Sequence, residues 1–470
     1  MDDVLNQMLG APRGFVEAAA GCGKTQLLSS IVGDPRFGRQ LVLTHTHAGV
    51  AALKRRLQRM RVPSQRWHLD TIAGWSLRWA TAYSTISGVP RDAEAHPDWA
   101  AAYEGARRVV ATELGQRVLG ASYDGVLVDE YQDCGLRQHA LVEEMARVLP
   151  CRAVGDSMQS IFGFRNDPSV SWPTVQSSFT FLPPLLHPWR WHVPGANQEL
   201  GEWLISARQQ LETRGQIHVA PDAPLRWVEH DGDDQAIAAA CRQRVQAGDS
   251  TVAILKWPND CRRLARPLGG RWPVVERFDD GDLPACAAQM AHAAGPAVVE
   301  ALVGFLAERI TGVGTALKNQ VQAIVDGRRT TGFRNHTDHL RRLEALAAGP
   351  TPEHALEVLD GIFAQREWLR WRPECVYQLR EALRSLSGGS LQDLPAAVTE
   401  ARTRARHRGR LAHRRTVGTP LLVKGLEFDH VVVIEPERMT TRELYVAITR
   451  GAKSLTVVSR DRVVTPGSAR

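Results

Sequence analysis

The chain has 470 residues, enough for about three domains at roughly 150 residues each, and its 43% hydrophobic and 23% charged content is ordinary globular usage, which excludes a disordered, collagen-like or small disulfide-stapled protein. Fifty-eight basic and 51 acidic residues leave a net charge of +7, mildly favourable to a polyanionic partner. Seven cysteines without a C-x-x-C pair indicate neither a disulfide framework nor zinc, no apolar run approaches the roughly 20 residues of a membrane span, and Met1-Asp2-Asp3 does not open a secretory signal, so the expected compartment is the cytoplasm.

In chain order, the apolar Phe15-Val16 leads through Glu17 into Ala18-Ala19-Ala20-Gly21-Cys22-Gly23-Lys24-Thr25 and a helical stretch from Gln26 to Val32. Strand, glycine loop and helix in that order make a phosphate cradle. Backbone N–H groups close round the phosphates, Lys24 neutralises the β and γ groups, and Thr25 offers a hydroxyl to Mg²⁺. Ala18 stands where the general pattern has its first glycine. Gln40 to Thr44 reads as a buried parallel strand, and Ala48 to Met60 as a helix. Lys54, Arg55, Arg56, Arg59 and Arg61 form a basic cluster able to follow a phosphate backbone.

Gly125 to Glu130 is the next strand and ends in paired carboxylates. A phosphate site needs an acid at a strand end to hold magnesium and a neighbour to work on the attacking water, which assigns Asp129 as metal ligand and Glu130 as general base. Helix Gln138 to Val148 follows, then strands Cys151 to Asp156 and Thr251 to Lys256. Strands alternating with helices predict an α/β fold with parallel sheets, active at strand C-termini. From Leu283 to Leu394 strand signals vanish and helical stretches take over, among them Ala297 to Arg309, Asp338 to Leu346 and Val376 to Leu386. A second basic run, Arg402 to Arg415, follows, and strand-like sequence resumes at Leu421 to Ile434. The chain ends 20 residues after Arg450, so no further catalytic domain is expected there.

Asp129-Glu130-Tyr131-Gln132-Asp133 and Gly155-Asp156-Ser157-Met158-Gln159-Ser160-Ile161-Phe162-Gly163-Phe164-Arg165 resemble motifs II and III of superfamily 1 helicases of the UvrD/Rep type. Leu43-Thr44-His45-Thr46 resembles motif Ia, Thr71-Ile72-Ala73-Gly74 Ib, Pro188-Trp189-Arg190 IV, Lys424-Gly425-Leu426-Glu427-Phe428 V and Leu444-Tyr445-Val446-Ala447-Ile448-Thr449-Arg450 VI. The ordered set spans nearly the whole chain. The resemblance implies two RecA-like lobes with parallel sheets: residues 1–178, with a small insertion at about 84–118, and residues 179–282 with 396–470, interrupted by a helical insertion at 283–395.

ATP with Mg²⁺ would lie between the lobes. Gln159 would sense the γ-phosphate and Arg190 and Arg450 would reach it from the second lobe, so that charge is stabilised only on closure. Ala20, Gly21, Cys22 and Gly23 would line the phosphates and Gly425 would adjoin them. The family places an aromatic ring on adenine at Trp189, a ribose carboxylate at Glu427, an adenine reader at Gln7 and an arginine against the base at the position held here by Gln26. Single-stranded DNA would be stacked by Phe164 with Arg165 beside it, and its backbone met by Thr44, Thr46, Thr71 and Thr419.

The chain departs from the pattern in three places. His45 replaces the usual phenylalanine of motif Ia, Leu421 and Leu422 stand where polar DNA-contacting residues are usual, and only 58 positions separate Thr71 from Asp129, too few for the large accessory insertion. The expected activity is that of an ATP-driven motor moving 3′ to 5′ on single-stranded DNA and separating tailed duplex. The alternative is a nucleotide-dependent sensor or regulatory subunit that signals to a separate nuclease or effector, as in antiviral systems such as Gabija, which the chain resembles in size and motif layout only. Neither reading involves a membrane.

Overall fold

A computed structural model describes residues 2–93, 97–162, 167–230, 234–265, 267–268, 271–275, 281–408 and 413–467. The first half carries β1 (Gly14–Ala18), β2 (Gln40–Thr44), β3 (Trp67–Thr71), β4 (Gly125–Val128), β5 (Cys151–Gly155) and β6 (Thr180–Leu185). They form one sheet in the order β3-β2-β4-β5-β1-β6, with every pair parallel. Further on come β7 (Ile217–His218), β8 (Arg226–Glu229), β9 (Thr251–Ile254), β10 (Arg415–Gly418), β11 (Phe428–Ile434), β12 (Gly451–Ser459) and β13 (Val463–Val464). Of these β10-β9-β11-β12-β8 form a second parallel sheet, and β7 pairs with β13 in an antiparallel ribbon. Numbered from its own first strand, each sheet has the order 3-2-4-5-1, and β6 extends the first beside β1. The molecule thus contains one α/β topology twice, as two RecA-like lobes.

Because side chains alternate across a strand, a sheet covered on both faces needs apolar residues at successive positions. Phe15, Leu41, Leu43, Val126, Val128 and Ala153 point into one core of the first sheet, while Val16, Val42, Leu127 and Val154 point into the other. In the second sheet Val252, Ile254, Val431 and Val433 face one side, and Ala253, Val432, Ile434 and Val458 face the opposite side. Each fully buried side chain of this size contributes about 1.5–3 kcal/mol, so these strands are fixed in register by both faces. The first of the second lobe's two cores also takes in Ala20 and Met158, which belong to the first sheet's loops.

Four helices of the first half matter below: α1 (Asp2–Gly10), α2 (Lys24–Gly33), α3 (His47–Arg59) and α4 (Ile72–Ala82). The region expected as a small insertion holds the helices Ser84–Ser87, Trp99–Val110 and Glu113–Ser122. The strand-poor region is helical from Asp282–His292 through Pro296–Ala307, Val313–Val325, Thr337–Ala348, Pro352–Ala364 and Pro373–Ser385 to Leu394–Arg408. Three of these helices start with proline, whose fixed φ and missing N–H suit a first turn. Their apolar faces close on a core of their own, with Leu302, Leu306, Leu343, Leu359 and Leu379 fully buried. Leu394–Arg408 extends beyond the expected helical stretch and packs on α3.

The strand expected from Leu421 is absent. Pro420–Val423 is a short helix, and β11 starts at Phe428. Pro420 has no N–H to give a ladder and is suited to a first helical turn, so Leu421-Leu422-Val423 is a helical corner, with Leu422 and Val423 buried and Leu421 exposed, and not the start of the strand. Among the described residues no helix is long and apolar enough to cross a membrane.

Candidate functional site

β1 ends at Ala18, a loop runs to Gly23, and α2 begins at Lys24. Gly21 (φ 72°) and Gly23 (φ 99°) occupy the left-handed region, which only glycine enters without cost. Gly21 is also a point of close approach. A Cβ there would stand 2.5 Å from the Trp191 ring and 3.0 Å from Arg190 Cβ. The Arg190 amide donates to the Gly21 carbonyl at 3.1 Å, and the Ala20 amide donates to the Tyr445 hydroxyl at 3.1 Å, so residues that follow β6 and β11 lie directly on the loop. Cys22 is buried, and burial, reinforced by the charge of Asp156, pushes its thiol up to about 12, leaving it a packing group. Thr25 is half-buried at the first turn of α2.

Lys24 Nζ lies 3.5 Å from Glu130 Oε2. Burial disfavours the lysine charge, but Glu130, Asp156 and Asp129 outweigh it and hold the ammonium above the ordinary lysine range. Glu130 reaches this position because the turn after β4 places it at φ 52°, an uncommon conformation for a residue with a side chain. Asp129 Oδ1 accepts the Glu130 amide at 2.9 Å, and Gln132 Nε2 donates to Glu130. Burial and the neighbouring Glu130 raise the Asp129 carboxyl, whereas Lys24 and Lys424 overcome burial to hold Glu130 below the usual carboxylate range. The two acids are therefore driven apart electrostatically. Thr25 and Asp129 offer oxygen donors only, the chemistry that Mg²⁺ takes when phosphates and water complete its shell. Among the described residues no group of three or more His, Cys, Asp or Glu side chains could hold a metal by itself.

The second half closes on this loop. Arg450 is buried, with Nη2 3.3 Å from Gln159 Oε1 and Nε 2.9 Å from the Val446 carbonyl. Burial and the charge of Arg190 lower it to about 10, so it remains a cation at neutral pH. Gln159 Nε2 in turn donates to Asp156 Oδ2 at 2.7 Å. Lys424 Nζ, also buried, lies 2.6 Å from both Asp133 carboxylate oxygens and 2.6 Å from the Gln159 carbonyl, an ion pair that spans the seam. Arg190 is held by the Thr449 carbonyl at 2.9 Å and by Glu427 Oε1 at 2.6 Å. Glu427 is thus engaged with Arg190, and its side chain is 62% exposed.

Trp189 is 56% exposed above the loop, where a Cβ on Gly23 would lie 3.4 Å from its ring. Gly425 sits at φ 79° between the short helix Pro420–Val423 and β11. Gln7, on α1, donates to Asp3 Oδ2 at 3.0 Å, and its own carbonyl oxygen is buried without a hydrogen-bond partner. Gln26 donates to Ser30 Oγ at 3.1 Å and accepts from Arg56 of α3. An arginine therefore does arrive at the position where the motif lacks one, but from the next helix.

The residues expected on nucleic acid occupy the C-terminal ends of strands. Thr44 is buried at the end of β2. Thr46 and Thr71 cap α3 and α4, accepting the Gly49 amide at 3.0 Å and the Gly74 amide at 2.9 Å. Thr419 is buried at the start of Pro420–Val423 and makes no side-chain cap. His45 is half-buried, with Nε2 3.6 Å from Cys134 Sγ. Lys54, Arg55 and Arg59 are exposed along α3, and Arg61 is exposed just beyond it. Phe164 and Arg165 lie outside the described residues. Sequence reasoning gave no site role to Lys424, Asp133, Glu17, Arg208 or Tyr445. Asp133, Lys424 and Tyr445 lie within the quoted motif strings, whereas Glu17 and Arg208 carry no local signal beyond a charged side chain.

Residues 111–169 match the UvrD/REP helicase N-terminal domain family. No curated protein matches the sequence. Among solved structures the chain is similar at 11% identity to arterivirus nonstructural protein 10 (helicase), with DNA at a TM-score of 0.35 and without it at 0.36. These alignments cover 97% of the chain and 63% and 61% of those proteins, so the chain spans less than two thirds of their length. Residues 111–169, which include β4 and β5 of the first parallel sheet, are thus the part of the chain that is similar to the UvrD/REP helicase N-terminal domain.

Proposed function

We propose that the protein is an ATP-dependent DNA helicase or translocase that hydrolyses ATP to move 3′ to 5′ on single-stranded DNA and to open tailed duplex. The observation that carries this reading is the convergence on one loop of Lys24, Glu130 and Gln159 from the first sheet, Arg190 from the turn that leaves β6, and Arg450 from the second sheet. In this reading residues 1–178 together with β6, which extends the first sheet, form the first lobe, the rest of 179–282 with 396–470 the second, and 283–395 an accessory helical part. The P-loop amides from Ala20 to Thr25 and the Lys24 ammonium bind the triphosphate, Trp189 covers the base, and Gln7 and Gln26 adjoin it. Thr25 and Asp129 would hold magnesium, which would supply positive charge to the phosphate oxygens.

Glu130, kept ionised by Lys24 and Lys424, accepts the proton of the attacking water. Gln159 and Arg450 meet the transferring phosphoryl group, with Arg190 exchanging Glu427 for phosphate and leaving that carboxylate to the ribose. Stabilisation is complete only when both lobes contribute, which ties turnover to closure. Single-stranded DNA would cross the strand ends at Thr44, His45, Thr46, Thr71 and Thr419, and Phe164 and Arg165 would add a stacking ring and a cation. ATPase rates measured with and without single-stranded DNA, followed by strand displacement on tailed duplexes, test the proposal; equal ATPase rates in both conditions would defeat it. A regulatory subunit working with a nuclease or other effector is the second reading. It is favoured by His45 lying against Cys134 and by Thr46 and Thr71 serving as caps, and a stable effector recovered with the protein would support it.

A further inference from the structure

The seam holds a charge network that the motif series does not require. Arg208, on the helix Gln198–Arg214, is 6% exposed. Its guanidinium pairs with Asp156, donates to Glu17 Oε1 at 2.8 Å and to the Tyr445 hydroxyl at 3.2 Å, and places Nε 3.0 Å from Glu212 Oε1. Glu17 lies on β1 and Asp156 just after β5, so a second-lobe cation is embedded in the first lobe. Asp156 is fully buried, and its other oxygen accepts Gln159 Nε2 at 2.7 Å. Gln159 Oε1 then accepts from Arg450 at 3.3 Å. Tyr445 carries the same network to the phosphate loop through the Ala20 amide.

An ionised carboxylate only accepts hydrogen bonds, whereas the glutamine amide is a donor at one atom and an acceptor at the other. Asp156 therefore fixes which way Gln159 faces, with the NH₂ inward and the oxygen toward Arg450. Arg208 holds Oδ1 of this carboxylate and leaves Oδ2 facing Gln159, so both oxygens are committed as acceptors and the carboxylate is fixed in place. We infer that Arg208 is a positioning residue which, through Asp156, locks the orientation of the Gln159 amide and so makes the sensor competent only when the lobes are together. The inference rests on the ATPase reading above, and Arg208 itself touches no substrate.

The test is steady-state ATPase of the full chain bearing Arg208→Met, Asp156→Asn, the double variant and Arg208→Lys, with folding checked by circular dichroism. Arg208→Met and Asp156→Asn should each lower kcat by about 10²-fold through a misplaced sensor. KM for ATP should stay within about threefold, because neither side chain binds the nucleotide. The double variant should fall no further than the singles, since both act on one amide. Arg208→Lys should recover most of kcat by restoring the charge. Asp156→Asn is nearly isosteric and keeps the test decisive if Arg208→Met does not fold. Multiplicative losses in the double variant, a kcat unmoved by Asp156→Asn, or failure of lysine to rescue would overturn the inference while leaving the ATPase reading intact. A wild-type protein without ATPase would overturn that reading and this inference with it.

Discussion

At the end of β4 and at the end of β11 the chain makes the same move. A glutamate enters the left-handed region, Glu130 at φ 52° and Glu435 at φ 49°, and a short 3₁₀ turn follows, Tyr131–Asp133 in one lobe and Pro436–Arg438 in the other. These strands hold the same place in the 3-2-4-5-1 order. What faces the two glutamates differs. Glu130 looks across to Lys24, while Glu435 is held by Arg438 at 2.7 Å and lies 3.8 Å from His230 Nε2. The ends of β1 and β8 differ in the same way, since only the first is followed by a glycine-lysine loop. At the ends of β3 and β10 the halves agree again, each offering a threonine, Thr71 or Thr419, at the start of a helix. The fold supplies the strand-end turn twice, and the two copies differ in what faces the glutamate, a lysine of the glycine loop in one and an arginine with a histidine in the other.

Substituting the paired glutamates sharpens this contrast most. Glu130→Gln should reduce ATP hydrolysis by about 10²–10⁴-fold, the usual contribution of a positioned base. Glu435→Gln should leave hydrolysis unchanged and alter stability by no more than about 1 kcal/mol, as expected for an ion pair with a partly exposed arginine. Similar ATPase losses in both variants would erase the distinction between the lobes.

Next in size is Lys424→Met, which leaves Asp133 buried across the seam without its partner and should cost about 3–5 kcal/mol in denaturant unfolding. In the intact protein burial, opposed by Lys424, leaves the Asp133 carboxyl at about 7. Without the lysine it rises further above its unfolded value. A group raised in the folded state contributes stability below its unfolded pKa and loses it as pH rises through the folded one. The variant's deficit should therefore widen between about pH 6 and pH 9, and a pH-independent deficit would place the effect elsewhere.

The smallest effects lie at the equivalent threonines. Thr71→Ala should cost about 1 kcal/mol because it removes a side-chain cap. Thr419→Ala should cost less, since no such bond is made there. If both contact a DNA backbone, both should also weaken single-strand stimulation of the ATPase, and an effect from only one would limit the track to a single lobe.

Much of this arrangement is written in local sequence. Strands buried on both faces must be continuous apolar runs, which is why β2 and β11 are visible in Gln40 to Thr44 and His430 to Ile434. A P-loop needs glycine where the backbone turns, and Gly21 and Gly23 show it. Leu421 to Val423 misled because a three-residue apolar run has no period, and Pro420 before it was the better guide. The seam was hidden for a different reason. Arg208 and Glu17 stand 191 positions apart, and Lys424 and Asp133 stand 291 apart, so nothing near either residue announces its partner. Gln26 is an intermediate case, because its own position looks deficient until α3 brings Arg56 to it.

The helix Leu394–Arg408 leaves the accessory helices and rests on α3 of the opposite half before the chain returns to β10. The two halves are thus in contact through this helix as well as across the polar seam. A brace of this kind limits how far the two halves can part, and in the proposed motor that limit would bound each step from outside the nucleotide site.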